Sequence, residues 1–493
     1  MKKGKNVLLD ILISCICIFF IGTYIYIALS RMFYPFELEW AEGAVFDNSY
    51  RILNGLPIYT KPTVDFVPLM YPPFYYFVSS FLIKYFGIEI WPLRIVSFIS
   101  SLVSTILIFE ITRKRTKSIL WSLVSSSLFL GTFKITCSWF DLARVDSLFV
   151  MLVLSSFYLT VFQQGYFSVV LSSLSISCSF LTKQSGAIFI VVFGLWLLTR
   201  SIKKGALFLL TSIFICIGIS LLLNHKTDGW FSYWVFKLPS YQPLLKEKIM
   251  MFFVVDLLKN MPILCGSAVG WIILFITTRT KNNIFDLDTL IFLFLGVSFF
   301  VSLSGRGITG GVENALIPLI ASLSIIFGIS CSIASESKKQ TKPFLYGFLI
   351  LQFIILFYNP MSQIPTKKDK EIGERFLYQV SSIQGDVFIP YHGYYLTKVG
   401  KRPYCYIGAL SDVEFDKKQG RVLINDFVLS LKENLEKKVF GAIILSNEGI
   451  PSFDNFIRIY YNLAGTFIAP HESSAFYTIC GWRRRPQEIY LPK

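Results

Sequence analysis

The stretch VLLDILISCICIFFIGTYIYIALSRMFYPFELEWAEG, residues 7–43, decides the fold class. Its first part, Val7 to Ser30, is almost wholly apolar and long enough to cross a bilayer as a helix, which needs about 20 residues. It is too long for a signal-peptide core and no small-residue cleavage site follows it, so it reads as a retained membrane anchor. Directly behind it stand Glu37, Glu39 and Glu42. Ionised groups at bilayer depth are expensive, so three carboxylates at the end of a span point to a wet hollow at the membrane boundary.

Further apolar runs fall near residues 91–112, 118–136, 147–162, 167–182, 186–199, 205–223, 250–277, 287–304, 315–334 and 343–358. The expected fold is an α-helical polytopic membrane protein of about eleven transmembrane helices. Basic clusters punctuate the runs: Lys2, Lys3 and Lys5; Arg113, Lys114, Arg115 and Lys117; Arg200, Lys203 and Lys204; Arg279 and Lys281; Lys338, Lys339 and Lys342. Placing all of them in the cytoplasm gives a consistent alternation if Tyr71 to Ile88 lies along the outer interface instead of crossing. The N-terminus is then cytoplasmic, and loops 31–90, 137–146, 224–249 and 305–314 face outward together with the tail. From about Asn359 the composition becomes that of a soluble protein. The β-like runs Gly385 to Tyr391 and Val439 to Leu445 flank a helix-like stretch from Asp426 to Lys438, as in a small α/β domain. The expected division is a transmembrane module over 1–358, with its working loop at 31–90, and an extracytoplasmic domain over 359–493.

Composition agrees, with 54% apolar and 16% charged residues in a chain of 493. The net charge of +16 lies in short clusters between apolar runs, a topological pattern, and forms no basic aromatic face for nucleic acid. Most of the nine cysteines sit in or beside apolar segments and read as packing residues. Cys405 and Cys480 fall in the tail and form a disulfide only if it faces an oxidising compartment. The three histidines share no zinc-ligand spacing, and no nucleotide-binding fingerprint is present.

The polar residues of the outer loops are the chemical candidates. A carboxylate beside Trp40, partly buried, can act as a general base, although composition fits a solvated loop slightly better. In Asp141-Leu-Ala-Arg144-Val-Asp146, helical geometry makes Asp141 and Arg144 i,i+3 partners and leaves Asp146 free for an acceptor hydroxyl or a metal; a structural pair capping two helices fits equally well. Lys183 and Gln184 interrupt a hydrophobic hairpin at headgroup depth, where a lysine either meets phosphate or merely snorkels. The glycine-rich Gly305-Arg-Gly-Ile-Thr-Gly-Gly-Val-Glu-Asn314 brings Arg306 and Asn314 to the same side but lacks a Walker ending.

Taken in order, Glu39-Trp-Ala-Glu42-Gly43, Arg51-Ile-Leu-Asn-Gly55-Leu-Pro57-Ile-Tyr59, Asp65-Phe-Val-Pro68, Tyr71-Pro-Pro73, Arg94, Ala143-Arg-Val-Asp-Ser147, Lys183-Gln-Ser-Gly186 and Gly310-Gly-Val-Glu-Asn314 resemble the GT-C class of membrane glycosyltransferases, the fold of protein O-mannosyltransferases and lipid A aminoarabinose transferases. Pro390-Tyr-His-Gly393 and Gly400-Lys-Arg402 are similar to the outer domain of bacterial relatives in glycosyltransferase family 39. The resemblance implies a bacterial inner-membrane enzyme that moves a sugar from a polyprenyl phosphate to an acceptor hydroxyl of a lipid, glycan or protein on the outer face, with inversion. It implies Glu39 as the base, with Glu42 and Asp146 supporting it or holding a divalent cation. Lys183, Arg94, Arg144 and Arg306 would neutralise the departing phosphate, and Gln184, Asn314 and Asp141 would complete the site. The aromatic loop Trp230 to Trp234 would guide lipid or acceptor, unless it is an interface belt. Many family members carry adjacent acids in the first loop, whereas Leu38 and Trp40 separate them here, so Glu37, Glu39 and Glu42 compete for the base role.

Two other readings compete. A transporter or flippase of a lipid-linked sugar needs polar groups along its whole path, whereas here they collect on one side. A scaffold anchored by the membrane region would need far fewer spans.

Overall fold

In the computed structural model the described residues are 2–163, 165–278, 286–337, 342–447 and 453–493, with the side chains of 2–6 and 337 left aside. The side chains of Lys2, Lys3 and Lys5, and residues Arg279, Lys281, Lys338 and Lys339, therefore lie outside the described residues.

Helices Lys2–Met32, Trp91–Thr116, Ile202–Lys226, Leu287–Gly307 and the stretch Glu313–Glu336 are long and apolar enough to cross a membrane. Shorter apolar helices are Ile119–Gly131, Asp146–Phe162, Tyr166–Thr182 and Gly186–Arg200. The run read from sequence as one span over 250–277 is broken: Lys246–Lys259 and Pro262–Thr278 meet at 93°. Pro262 has no N–H to continue the helical ladder, and Asp256, buried in the first half, turns to an ion pair with Arg306. A second bend of 49° separates Lys342–Leu356 from Pro360–Ser382. The molecule is a multi-pass membrane protein.

The bundle interior combines large apolar side chains with serines. The hydroxyls bond helix carbonyls or one another, as in Ser126 Oγ to the Thr105 carbonyl at 3.0 Å and Ser156 Oγ with Ser172 Oγ at 2.8 Å. Small polar residues let helices approach closely in a medium without a hydrophobic drive between them. Helix Phe74–Phe86 is too short to span; it buries Tyr75, Tyr76 and Ile83 and exposes Phe77, Phe81 and Tyr85, the amphipathic habit of an interfacial helix.

One end of the bundle gathers basic residues. Arg115 pairs with Asp288 at 2.7 Å and Lys342 with Asp10 at 3.8 Å. Arg94 sits at the other end of the Arg115 helix, about 30 Å away at 1.5 Å per residue. That far end carries the acidic loop.

The tail folds as a four-stranded sheet, β1 (Asp386–Phe388), β2 (Phe440–Ser446), β3 (Tyr461–Thr466) and β4 (Pro486–Pro492), in the order β1-β2-β4-β3. β1 runs parallel to β2, and the other pairings are antiparallel. Helix Gly420–Glu436 packs Leu423, Phe427, Leu431 and Leu435 inward at i,i+4 spacing. The tail shares its apolar core with the loop after the first helix: Phe36, Phe46, Tyr59 and Val64 join Phe376, Phe388, Tyr394 and Phe476 in one buried cluster. Phe231, Tyr233 and Trp234 of the aromatic loop are buried in it too, and the Trp234 indole donates to the Thr60 carbonyl at 2.8 Å. These three are packing residues, not lipid guides. Cys405 and Cys480 are free thiols. Cys480 lies by Arg31 at 3.5 Å, whereas the Cys405 amide donates to Val64, so each has its own surroundings and the disulfide is not formed.

Candidate active site

The first span ends at Met32, and the chain then turns back over the bundle. Arg94, fully buried near the start of its helix, holds this turn. Its guanidinium donates to the carbonyls of Arg31, Met32, Tyr34 (2.6 Å) and Phe36 (2.6 Å), and to both oxygens of Glu42 at 3.1 and 2.7 Å. No N–H is left for a phosphate, so the structure moves Arg94 from phosphate partner to scaffold of the acidic loop. Glu42 also accepts the amides of Leu38 (2.7 Å) and Ala143 (2.8 Å). Burial alone would raise its proton affinity, but Arg94 and these amides hold it below the usual carboxylate range.

Glu39 is wholly buried and has fewer partners. One oxygen accepts the Ala41 amide at 3.1 Å and lies 3.5 Å from Arg144; the other has no hydrogen-bond partner among the described residues. Burial raises its pKa to about 7, with Arg144 pulling down and Glu42 pushing up. Glu37 bonds the Nδ1 of His392, also fully buried. Burial and the nearby Glu42 push Glu37 well up, while burial and Arg484 push His392 down to about 3. Gly43 permits this packing, since a Cβ there would stand 1.9 Å from Glu37 Oε1.

Residues 137–145 are not an α-helix, so the i,i+3 pairing of Asp141 with Arg144 does not occur. Asp141 instead takes a two-pronged bond from buried Arg31 at 2.7 and 2.5 Å, which frees Arg144 to turn toward Glu39. Asp146 is not free either: Lys183 bonds it at 2.7 Å, the Trp139 indole donates at 3.0 Å, and the Asn314 side chain reaches it as well. Arg144 lies over the Trp139 ring at 4.9 Å and so joins the Glu39 and Asp146 pairs. Gln184 donates to the carbonyls of Met70 and Val235, both at 3.2 Å, tying the Lys183 hairpin to the neighbouring loops. Arg306 stands in a separate cluster, bonded to Asp256 at 2.9 Å, Glu313 at 2.7 Å and the Gly311 carbonyl at 3.2 Å. The structure thus brings Glu39, Glu42, Asp146, Arg94, Arg144, Lys183 and Asn314 into one continuous set of contacts, and places Asp141 and Arg306 in side clusters.

The tail closes the site. Leu38 accepts amides from Ile479 and Cys480, both at 2.9 Å, forming a short bridge beside Glu39. Trp482 stacks on Trp40 with ring centroids 5.0 Å apart. Sequence reasoning missed Arg31, His392 and Trp482 as site-forming residues; for His392 alone a signal existed, the Pro390 to Gly393 motif. Among the described residues no three His, Cys, Asp or Glu side chains converge as metal ligands, and Glu42 and Asp146 each carry a basic partner. This donor set does not fit a resident divalent cation.

The sequence model of the family described as dolichyl-phosphate-mannose-protein mannosyltransferase matches residues 70–223. No curated protein matches the chain in sequence. Among solved structures, ArnT from Cupriavidus metallidurans bound to undecaprenyl phosphate superposes with a TM-score of 0.61 at 10% identity, covering 96% of this chain and 97% of that one. The apo state of the same protein gives 0.58 with the same coverage. The chain therefore has the GT-C fold that its ordered motifs resemble.

Proposed function

We propose that this protein is a glycosyltransferase that moves a sugar from a polyprenyl phosphate to an acceptor hydroxyl, with inversion and with Glu39 as general base. The observation that carries this is the contrast among the three glutamates. Glu42 is held below the usual carboxylate range by Arg94 and two amides, Glu37 is pushed well up by burial and Glu42, and Glu39 alone of the three combines a free buried oxygen with a pKa near working pH. The acceptor oxygen attacks the anomeric carbon, its proton passes to Glu39, and the bond from that carbon to the phosphate oxygen breaks with its electron pair leaving on the lipid phosphate. Arg144 and Lys183 are the cations placed to take up the growing phosphate charge. A lipid-phosphate donor is supported by the structural match to a protein bound to undecaprenyl phosphate. No step runs through a metal ion.

In this reading the basic end of the bundle faces the cytoplasm of a bacterium, and the site and tail face outward. Purified protein should transfer sugar from a synthetic polyprenyl-phosphate sugar and not from a sugar nucleotide. Glu39→Gln should abolish that transfer, a loss of at least about a hundredfold, without a lower Tm. Wild-type activity in the variant, or turnover of the nucleotide alone, overturns the proposal.

A further inference from the structure

Glu39 has no accessible surface, and its unpartnered oxygen is buried with it. A general base must come within about 3 Å of the group whose proton it removes, so an acceptor hydroxyl reaches Glu39 only after something covering it has moved. The covers differ in how firmly they are held. Arg144, 8% exposed, is fixed between Glu39 and the Trp139 ring. On another side lies the tail turn 478–484. Its Gly481 stands so near that an added Cβ would come 3.7 Å from Glu39 Cγ and 2.7 Å from the Trp40 ring. The same turn is open to solvent at Gly481, Trp482 (59%) and Arg483.

The turn is closed on itself at its neck. The Thr478 amide donates to the Arg484 carbonyl at 3.0 Å, and the Thr478 hydroxyl donates to the Trp482 carbonyl at 2.6 Å and accepts the Arg484 amide at 3.0 Å. Arg484 marks the fixed end, its buried guanidinium lying over the Tyr391 ring at 3.9 Å. A compact loop whose ends are tied together moves as a unit. Its grip on the site is small by comparison. The amides of Ile479 and Cys480 go to one carbonyl, that of Leu38, both at 2.9 Å, and the Trp482 ring stacks on Trp40 at 5.0 Å. The Cys480 thiol lies 3.5 Å from Arg31 and 3.9 Å from the Ser138 carbonyl. Segments with few buried contacts and an exposed backbone open at low cost, and β4, which starts beyond the neck at Pro486, keeps its pairing when this one does. A turn that closes again behind the acceptor keeps out water, which would otherwise compete for the sugar.

We propose that turn 478–484 is a lid over Glu39, closed in this structure, which pivots at Thr478 and Arg484 to admit the acceptor hydroxyl. The proposal rests on the reading of Glu39 as base, but its test needs neither donor nor acceptor. The lid carries its own reporter: Cys480 is 2% exposed when it is closed and meets solvent when it lifts. Cys405, 1% exposed and tied through its amide to Val64, stays in the tail core and serves as control. Full-length protein in detergent is treated in one arm with N-ethylmaleimide and in another with a water-soluble carbodiimide plus glycine ethyl ester, and each site is followed by mass spectrometry. Trp482→Ala, which deletes the stack on Trp40, should speed modification of Cys480 and of Glu39 alike, by about twofold to tenfold, the weight of one lost ring stack, and leave Cys405 unchanged. Trp482→Phe, which keeps a ring there, should stay within about twofold of wild type. A rate at Cys480 or at Glu39 that Trp482→Ala does not move, or Cys480 and Cys405 quickening together as in general unfolding, overturns the lid. Rates that respond as expected while Glu39→Gln still transfers sugar would leave the lid standing and remove the base; an inactive Glu39→Gln with unresponsive rates would do the reverse.

Discussion

Glu37, Glu39 and Glu42 share one short loop and are all buried, yet their partners are remote in sequence: His392, Arg144 and Arg94 respectively. That is why the loop could be recognised from sequence as acidic and near water, while the base among its acids could not be ranked. Asp141 and Arg144 show the same limit. Their spacing suggested a local pair, but Arg31, at the end of a different helix, captures Asp141. The ordering of the three glutamates has a measurable consequence. With a pKa of about 7, Glu39 is mostly protonated below that pH. Transfer should therefore fall about tenfold per unit below pH 7 and level off above it. Arg144→Gln, which removes the charge that pulls Glu39 down, should move the midpoint above 7 as well as lowering the plateau; a profile unmoved by this change would separate Arg144 from the base. Stability has the opposite sign. The folded state holds a proton on Glu39 that the unfolded chain, with its ordinary value of 4.5, releases earlier, so this group's contribution is full below 4.5 and declines as pH rises to about 7. Glu39→Gln escapes that decline, and its Tm relative to wild type should rise between pH 5 and 8.

At the scale of elements, most helices were legible because a lipid-facing helix needs only a long apolar run, whatever its periodicity. The bend at Met261 to Pro262 was read through as one apolar run although Pro262 marks it, whereas the pairing of Asp256 with an arginine on another helix is visible only in the assembled structure. β1 lies inside and β2 all but coincides with a run that reads as a strand, whereas β3, largely exposed, and β4, which begins at a proline, carry no continuous apolar signal. The turn carrying Gly481 is another feature that only the assembled structure explains. Its φ of +69° is a left-handed conformation, and an added Cβ would come 2.7 Å from the Trp40 ring and 3.7 Å from Glu39. Gly481→Ala should cost about 1–3 kcal/mol in backbone strain alone. Because it also pushes on the Trp40–Trp482 stack, kcat should fall in the material that remains folded. Differential scanning fluorimetry and steady-state kinetics on the same preparation read both effects; an unchanged kcat would mean that the stack does not position Glu39.

At the scale of the whole molecule, loop 31–90 and the tail depend on one another. The loop shares its apolar core with the tail: Phe36 packs on Tyr395 and Phe476, with centroids 5.9 and 5.1 Å away, and Phe46 packs on Tyr394 at 4.7 Å. The helix bundle has a separate core, to which the tail contributes little beyond Cys480 and Ile479. A chain ending at residue 358 should therefore keep its membrane helices but lose the ordered acidic loop, since the apolar faces of Phe36, Phe46 and Tyr59 would open to water. Limited trypsinolysis with mass spectrometry distinguishes the outcomes. Cleavage after Arg51 should become more than about tenfold faster than in the full chain, while sites at the basic end of the bundle keep their rate. Equal protection of Arg51 in both chains would mean that the loop holds its shape by contact with the bundle alone, and that the tail serves the site only through the bridge at Leu38 and the pairing of His392 with Glu37.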